Sequence, residues 1–228
     1  METRRPVDQM NTGTATTAQV TTLDPAAAKV LRNTYALLAM TVAFSAMTAG
    51  VAMAFKLPFM GLWMLLPYFG LLFAIEKTKE SVWGLVWTFA LTGFMGLTIG
   101  PILNAYLSMG GMQPILMALG GTAVIFFGLS AYTLVTKRDF SFMSGFLFVG
   151  ILVAFIAAIA NVFLQISALS MTISVMFLFL ASGMIMWQTS AIVHGGERNY
   201  ISATVTLYVM LYNIFLSLLH LIGIGGDD

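Results

Sequence analysis

The stretch FMSGFLFVGILVAFIAAIANVFL, residues 142–164, contains no ionisable side chain. A run of about 20 apolar residues is what an α-helix needs to cross the hydrocarbon core of a bilayer. The whole chain has the same character, since 59% of its 228 residues are hydrophobic and only 8% are charged, where a soluble domain carries about 25% charged residues. A soluble fold of this length would have too few charges to cover its surface. The sequence therefore predicts an all-α integral membrane protein.

The charged residues fall in tight clusters, and the gaps between the clusters define the predicted helices. Two gaps, 81–136 and 140–196, contain no charged residue and are long enough for two helices each, with polar turns at 108–111 and 165–167. We therefore predict a bundle of seven transmembrane helices, of which the second is the shortest. The predicted spans are residues 34–55, 59–75, 82–107, 113–136, 142–165, 168–193 and 201–223.

Lysine and arginine are distributed unevenly between the two sides of this predicted bundle. Nine of them fall in the N-terminal segment and in the second, fourth and sixth connections, whereas Lys56 lies alone on the other side. Loops rich in Lys and Arg stay in the cytoplasm. The bias predicts a cytoplasmic N-terminus and, after seven spans, a C-terminus on the opposite side. An even number of spans would mix the two groups of loops and remove the bias.

The N-terminal segment differs in kind from the rest of the chain. Residues 1–28 are polar and lack apolar periodicity, which is typical of a disordered tail rather than of a signal peptide. Within this segment, Asp24 followed by Pro25 reads as the start of a short interfacial helix. We predict a seven-helix transmembrane domain over residues 29–223 and a short non-cytoplasmic C-terminus over 224–228.

Small residues recur along the predicted helices at spacings that let helix backbones approach closely. On the third helix, Pro101 follows Gly100; since proline lacks a backbone donor and frees the carbonyl four residues earlier, we predict a kink there. The small-residue stripes are Ala46-Gly50-Ala54 on the first helix, Gly93-Gly96-Gly100 on the third and Gly150-Ala154-Ala158 on the fifth.

Composition excludes several kinds of chemistry. The absence of cysteine rules out disulfides, thiolate metal sites and cysteine nucleophiles, and a net charge of +1 argues against a nucleic-acid partner. No lysine, arginine or carboxylate lies inside a predicted span, and the two histidines, His194 and His220, fall at helix ends. Proton-coupled transporters usually keep a carboxylate or histidine at membrane depth. We predict no cofactor.

Two weak patterns suggest catalysis or metal binding. Ser130, in a rhomboid-like Gly-Leu-Ser-Ala motif, and His194 both fall toward the cytoplasmic side, where a serine–histidine pair could activate a nucleophile. His194 with Glu197 supplies only two metal ligands. A helical serine more often contacts its own backbone, and a loop histidine is more often solvated. We therefore predict no catalytic residue and no metal site, and the protein is not expected to be an enzyme.

Neutral polar residues on the last two helices are a third candidate. Gln188-Thr189-Ser190 and Asn213 lie in or near the cytoplasmic third of the predicted membrane domain. Facing each other, they would hydrogen-bond across the helix interface. These polar residues either hold the two helices together or line a pore or gate, and the sequence leaves both roles open.

Several motifs, in order along residues 29–223, resemble the Bax inhibitor (transmembrane BAX inhibitor motif) family, and within it the bacterial YccA-like branch. The fourth connection carries Lys137, Arg138 and Asp139 within one of them. The motifs are GFMG at 93–96, GPILN at 100–104, TKRDFSF at 136–142, HGGE at 194–197, NYI at 199–201, LYV at 207–209 and YNIF at 212–215.

The resemblance implies a seven-helix bundle with the last helix at its centre, located in the bacterial inner membrane with a periplasmic C-terminus. It also implies one of two activities. Some members of the family leak calcium under the control of an aspartate pair on the sixth and seventh helices. The YccA-like branch is associated with the membrane AAA protease FtsH and its HflK/HflC partners, as substrate and modulator.

The chain departs from the channel pattern at the positions of that aspartate pair. The best alignment places Gln188 and Met210 there, and neither side chain titrates. A shared proton requires two carboxyl groups whose charges repel, and methionine is a poor ligand for calcium. We therefore predict that the protein modulates FtsH as a slowly degraded, substrate-like competitor held through its tail. The alternative is a pH-insensitive or weak leak channel for calcium or other cations, with Gln188, Met210 and Asn213 at its pore or gate.

Overall fold

The computed structural model describes residues 24–224, and this part of the chain is helical throughout, with short connections. It contains seven α-helices and two short 3-10 helices. The α-helices are α1 (Pro25–Ala54), α2 (Leu65–Thr78), α3 (Val82–Gly110), α4 (Gln113–Thr136), α5 (Ser144–Leu164), α6 (Ser167–Val193) and α7 (Tyr200–Ile224), and the 3-10 helices are Gly61–Met64 and Ser141–Met143.

The first helix begins where the sequence predicts a cap. The Asp24 carboxylate accepts a hydrogen bond from the Ala26 amide at 3.1 Å, and Pro25 occupies the first turn, where its missing N–H costs nothing. The helix then continues without a break to Ala54. The prediction of a separate interfacial helix before the first span is therefore wrong. The start of α1 also lies before the predicted domain boundary at residue 29. The rest of the predicted tail and most of the predicted C-terminal segment lie outside the described residues.

Six of the α-helices, all except α2, are long and apolar enough to cross a membrane. Helix α2 has 14 residues and is about 21 Å long, short of the roughly 30 Å hydrocarbon core. It starts at Leu65 rather than near residue 59 as predicted. Gly61 has a φ of +56°, which lies outside the helical region, and a 3-10 helix follows over Gly61–Met64, so α2 begins only after it.

The two predicted turns differ in outcome. Residues 165–166 connect α5 to α6 as predicted, with Gln165 in the left-handed region at φ 53°. The turn predicted at 108–111 is shorter, because α3 continues to Gly110 and only Gly111 and Met112 separate it from α4.

Helices α1 and α3 pack in parallel through the predicted glycine stripe of α3. A Cβ atom at Gly93 would overlap the Phe44 ring, and one at Gly100 would overlap Ala52. At Gly96 it would overlap the Thr48 hydroxyl and the Ser45 carbonyl. Only glycine therefore allows this approach. The surface of α1 in this contact includes residues 45, 48, 49 and 52.

The stripe predicted on α1 is wrong. Ala46, Gly50 and Ala54 are all exposed, and nothing lies within 4 Å of a Cβ placed on Gly50. The stripe on α5 is used, since Ala154 is fully buried and Gly150 meets Leu180 of α6.

Helices α6 and α7 pack against each other and against several neighbours. Helix α7 contacts α1, α3, α4 and α6, while α6 contacts α1, α4, α5 and α7. Helix α5 packs mainly on α6, and α2 mainly on α3. The last turn of α6 and the first turn of α7 lie beside the connections of their neighbours.

Gly96→Ala should destabilise the protein by about 1–3 kcal/mol, the usual cost of overpacking a tight interface, because the backbone of α1 at Ser45 cannot move aside easily. The measurement is thermal unfolding of the purified protein in detergent. Gly50→Ala is the matched control and should leave the midpoint unchanged or slightly higher. Equal midpoints for the two variants would contradict the α1–α3 contact.

Candidate functional site

Three connections meet at one end of the bundle, and Asn199 joins two of them. Its amide nitrogen donates to the Lys79 carbonyl at 3.0 Å and to the Glu80 carboxylate at 2.9 Å. Its carbonyl oxygen accepts from the backbone amides of Ile201 and Ser202 at 2.9 and 3.1 Å. One side chain therefore caps α7 and holds the connection between α2 and α3.

The role of Asn199 has a signal in the sequence that our prediction did not use. Asparagine immediately before an apolar helix is among the strongest N-cap residues. Two residues earlier, the Glu197 carboxylate accepts a hydrogen bond from the backbone amide of Asn199 at 2.8 Å. Gly195 supplies the left-handed residue, φ 73°, that ends α6. The segment 194–199 is thus ordered by its own side chains.

Ser190, near the end of α6, holds the connection between α4 and α5. Its hydroxyl accepts a hydrogen bond from the buried Phe140 amide and donates to the Arg138 carbonyl, both at 3.1 Å. Just before them, Lys137 takes the left-handed conformation, φ 49°, that ends α4. The predicted family loop of Lys137, Arg138 and Asp139 is thereby fixed against α6 through its backbone.

Asp139 stabilises the same connection. Its carboxylate accepts a hydrogen bond from the Ser141 amide at 2.8 Å, and this bond holds the pKa of Asp139 below its ordinary value of 3.8. A lowered folded-state pKa contributes stability above the ordinary pKa that is lost as pH falls through the lowered value. The contribution of Asp139 to this connection is therefore present at neutral pH and is lost in acid.

We define the loop face as residues 79–81, 137–140 and 194–199. Together with the neighbouring first turns of α1 and the last turn of α2, it carries seven of the eight lysines and arginines among residues 24–224, and Lys56 lies at the other end. The side chains of Lys77, Arg138 and Arg198 are exposed. Within the loop face itself, four lysines and arginines stand beside the three carboxylates of Glu80, Asp139 and Glu197, so it is an ordered surface with a small excess of positive charge.

Gln188 and Met210, the predicted gate residues, lie at different distances along their helices from the connection between α6 and α7. Gln188 lies five residues before the end of α6, and Met210 lies ten residues after the start of α7. In antiparallel helices whose connected ends are level, that difference of five residues is an axial offset of about 7.5 Å. Met210 and Asn213 line an apolar cleft of about 480 Å³, whereas Gln188 is not among the residues that line it.

The predicted hydrogen bonding between α6 and α7 is also wrong for these residues. Asn213 donates to the Val209 carbonyl of its own helix at 2.8 Å, and Ser190 bonds the loop. The Gln188 side chain is buried, 1% exposed, and its amide nitrogen has no partner. In the described part of the chain, the buried side-chain atoms without a hydrogen-bond partner are Thr34 Oγ1, Tyr35 OH, Ser130 Oγ, Gln188 Nε2 and Thr189 Oγ1.

The hydrogen bonds from α7 to other helices instead come mainly from hydroxyl groups on α7 itself, and their partners lie on α1 and α3. The Tyr208 hydroxyl donates to Ser45 Oγ, and the Tyr212 hydroxyl lies 3.2 Å from Thr98 Oγ1. Thr204 Oγ1 lies 3.2 Å from the Thr34 carbonyl. These contacts attach α7 to both neighbours without a charged group.

Neither the serine–histidine pair nor the metal site that the sequence suggests has its required geometry in the structure. Nδ1 of His194 lies 2.9 Å from the Ser190 carbonyl, and since a carbonyl only accepts, this nitrogen carries the proton. Ser130 is buried with an unpartnered hydroxyl, and the Glu197 carboxylate accepts from Asn199. Within residues 24–224, no three His, Cys, Asp or Glu side chains come together to hold a metal ion.

Gly100 and Pro101 lie inside a continuous α3. Gly100 provides the close approach to α1, and one turn later Asn104 donates to the Met53 carbonyl at 3.0 Å. The kink at Pro101 stays a prediction.

Comparison with known proteins gives consistent matches over most of the chain. The sequence profile of the family described as "Inhibitor of apoptosis-promoting Bax1" matches residues 27–227. A protein of Pseudomonas aeruginosa is 54% identical over 202 residues, which cover 87% of this chain and 91% of that protein. "Modulator of FtsH protease YccA" of Escherichia coli is 52% identical over 201 residues, 88% of this chain and 92% of that protein. An "uncharacterized membrane protein" of Vibrio cholerae is 45% identical over 203 residues, 88% of this chain and 91% of that protein.

Ser190→Ala should release the α4–α5 connection, because it leaves the buried Phe140 amide without a partner at a cost of about 1–3 kcal/mol. The measurement is amide hydrogen exchange, which should accelerate over residues 138–143. Ser182→Ala is the matched control, since Ser182 bonds only the Leu178 carbonyl of its own helix. Unchanged exchange at Phe140 in the Ser190 variant would contradict this role.

Proposed function

The chain belongs to the Bax inhibitor family, as its motifs predict, and we propose that it acts in the bacterial inner membrane as a modulator of the FtsH protease. The observation that carries the proposal is the 52% identity, over 92% of its length, to the Escherichia coli protein named for that activity. The chain is a multi-pass membrane protein with six helices of spanning length and composition. A regulatory role, rather than an enzymatic one, agrees with this relative.

In our proposal the chain crosses the membrane seven times around a central α7. Helix α2 and the 3-10 helix before it span Gly61–Thr78 together and reach about 29 Å, close to the thickness of the hydrocarbon core. The loop face then lies in the cytoplasm, since it carries the excess of lysine and arginine. The N-terminus lies on the same side and the C-terminus in the periplasm.

We propose the loop face as the docking surface for FtsH, with or without HflK/HflC. Asn199 and Ser190 fix its three connections, so binding requires little ordering of the loops. Arg138 and Arg198 on the loop face, and Lys77 in the last turn of α2 beside it, are exposed and suit an acidic surface on the partner. Lys79 is instead paired with Glu76. Lys77 also lies over the Phe73 ring, and Arg198 donates to the Gly195 carbonyl.

The proposed mechanism is competition. AAA proteases begin on an unstructured terminus, and the N-terminal tail lies on the proposed cytoplasmic side. Extraction of the bundle is then opposed by the contacts of α1, which include the hydrogen bond between Thr204 and the Thr34 carbonyl and the close packing of α1 against α3. A slowly degraded chain occupies the protease and delays other substrates.

The alternative, a calcium or cation leak, has one supporting observation. Met210 and Asn213 lie beside a cleft between α3, α6 and α7. The cleft is lined mainly by phenylalanine, methionine and leucine, however, and a hard cation needs oxygen ligands. Calcium flux into proteoliposomes remains the direct test of this alternative.

Replacing the exposed cations should weaken association with FtsH. The variant Lys77→Gln/Arg138→Gln/Arg198→Gln removes three surface charges at about 0.5 kcal/mol each, which together correspond to a roughly tenfold loss of affinity. The measurement is co-purification with FtsH in mild detergent. Lys56→Gln, at the other end of the bundle, is the control and should co-purify normally. Equal recovery for both variants would show that the loop face is not the docking surface.

Deleting residues 2–22 should lengthen the half-life of the protein in cells that contain FtsH, because the protease loses its starting segment. In cells without FtsH the deletion should change nothing. The measurement is a chase of the tagged protein after synthesis is stopped. An unchanged half-life in both strains would reject the tail as the point of engagement while leaving the docking surface untouched.

A further inference from the structure

One feature that the proposed function does not use is an apolar cleft of about 480 Å³ between α2, α3, α5, α6 and α7. Its floor includes Met95, Ala181 and Met210, which are 5%, 2% and 8% exposed. On its outer side, the rings of Phe69 on α2 and Phe155 on α5 meet edge to face, with centroids 5.8 Å apart. This volume lies within the range of ligand sites, about 300–1,000 Å³, that bundles place between helices.

The cleft is continuous with the outer surface of the bundle. Phe69, Leu152 and Phe148 line it and are also 50%, 48% and 67% exposed. They belong to α2 and α5, and α5 is the least buried of the six helices of spanning length. In a membrane this surface faces lipid, so the cleft opens sideways into the hydrocarbon layer and not only toward water.

We propose that this cleft is a binding site for an acyl chain of a membrane phospholipid. An acyl chain is the molecule that the bilayer presents at this opening, and it is narrow and flexible enough to follow the cleft inward. One turn of an α-helix about 10 Å across fills about 420 Å³, so a partner's transmembrane helix would not fit. The position of the opening and the volume of the cleft therefore both favour a lipid acyl chain as its ligand.

The polar groups at the cleft do not favour water or an ion. A buried water needs two to four hydrogen-bonding partners, yet the Tyr212 hydroxyl is engaged with Thr98 and the Asn213 amide nitrogen donates to Val209. The remaining lining is almost entirely aromatic and aliphatic. Four methionines, with flexible and polarizable side chains, suit an acyl chain of variable shape. They are Met64, Met95, Met184 and Met210.

Lipid binding also explains how the two peripheral helices are held. Helix α2 packs mainly on α3, and α5 mainly on α6, so each has few protein neighbours of its own. A chain seated between them touches both and the floor of the bundle at once. It fills a volume that would otherwise leave the lining side chains without dispersion partners.

The test uses the protein in proteoliposomes of phosphatidylcholine that carries a photoactivatable diazirine midway along one acyl chain. After illumination, mass spectrometry should find adducts on the floor residues Met95 and Met210, as well as on Val124 and Phe127, which are exposed on α4. Ala181→Phe fills the cleft and should abolish the floor adducts while leaving the α4 adducts unchanged. Absent floor adducts, or floor adducts that survive this substitution, would overturn the proposal.

A second measurement holds even if Ala181→Phe does not fold, and it uses the absence of native cysteine. In Met210→Cys, a charged, membrane-impermeant thiosulfonate reagent should not label the introduced thiol, whereas Lys56→Cys, exposed in a connection, should be labelled. Labelling at position 210 would show that the cleft is filled with water, and the acyl-chain site would be wrong.

Discussion

The interior of a bilayer offers no water, so each polar group in this bundle must find its partner within the protein. Most of the threonines and serines meet this constraint locally. Thr88, Thr122 and Thr133, for example, donate to the carbonyl four residues earlier on their own helices. Because the helices satisfy themselves in this way, hydrogen bonds contribute to contacts between helices at only a few places. Close packing at glycine then determines which helices meet.

The same constraint explains which parts of the fold the sequence predicts. The start of α1 at Asp24-Pro25 and the turn at 165–166 depend on local backbone chemistry, and both were predicted. The buried face of α1 was not, because lipid is as apolar as the interior and an amphipathic pattern is absent. Ala46-Gly50-Ala54 and the true contact surface therefore look alike in the sequence. The start of α2 was missed because the positive φ of Gly61 and the 3-10 helix that begins there interrupt an apolar run that looks continuous in the sequence.

In the candidate site, too, some features were predicted from the sequence and others were not. Its motifs at 136–142 and 194–201 were identified from the sequence, and the charge pattern assigned them to one side. Their connections were not predicted, since Ser190 bonds residues about 50 positions away and Asn199 bonds residues about 120 positions away. The expected pairing of Gln188 with Met210 came from alignment to a carboxylate pair. Neither of these side chains carries a charge, so no carboxylate pair couples the two positions in this chain.

The contacts of Asn199 also form late in the synthesis of the protein. Its partner Lys79 precedes it by 120 residues, an interval of about 6–24 s at ordinary rates of synthesis. During that interval the connection between α2 and α3 lacks the amide that will fix it, and α7 has no cap. Both gaps close in one event, when the last helix enters the membrane. Until then the nascent chain is a partly assembled bundle, in which α1 and α3 can already pack but the connection between α2 and α3 is not yet fixed.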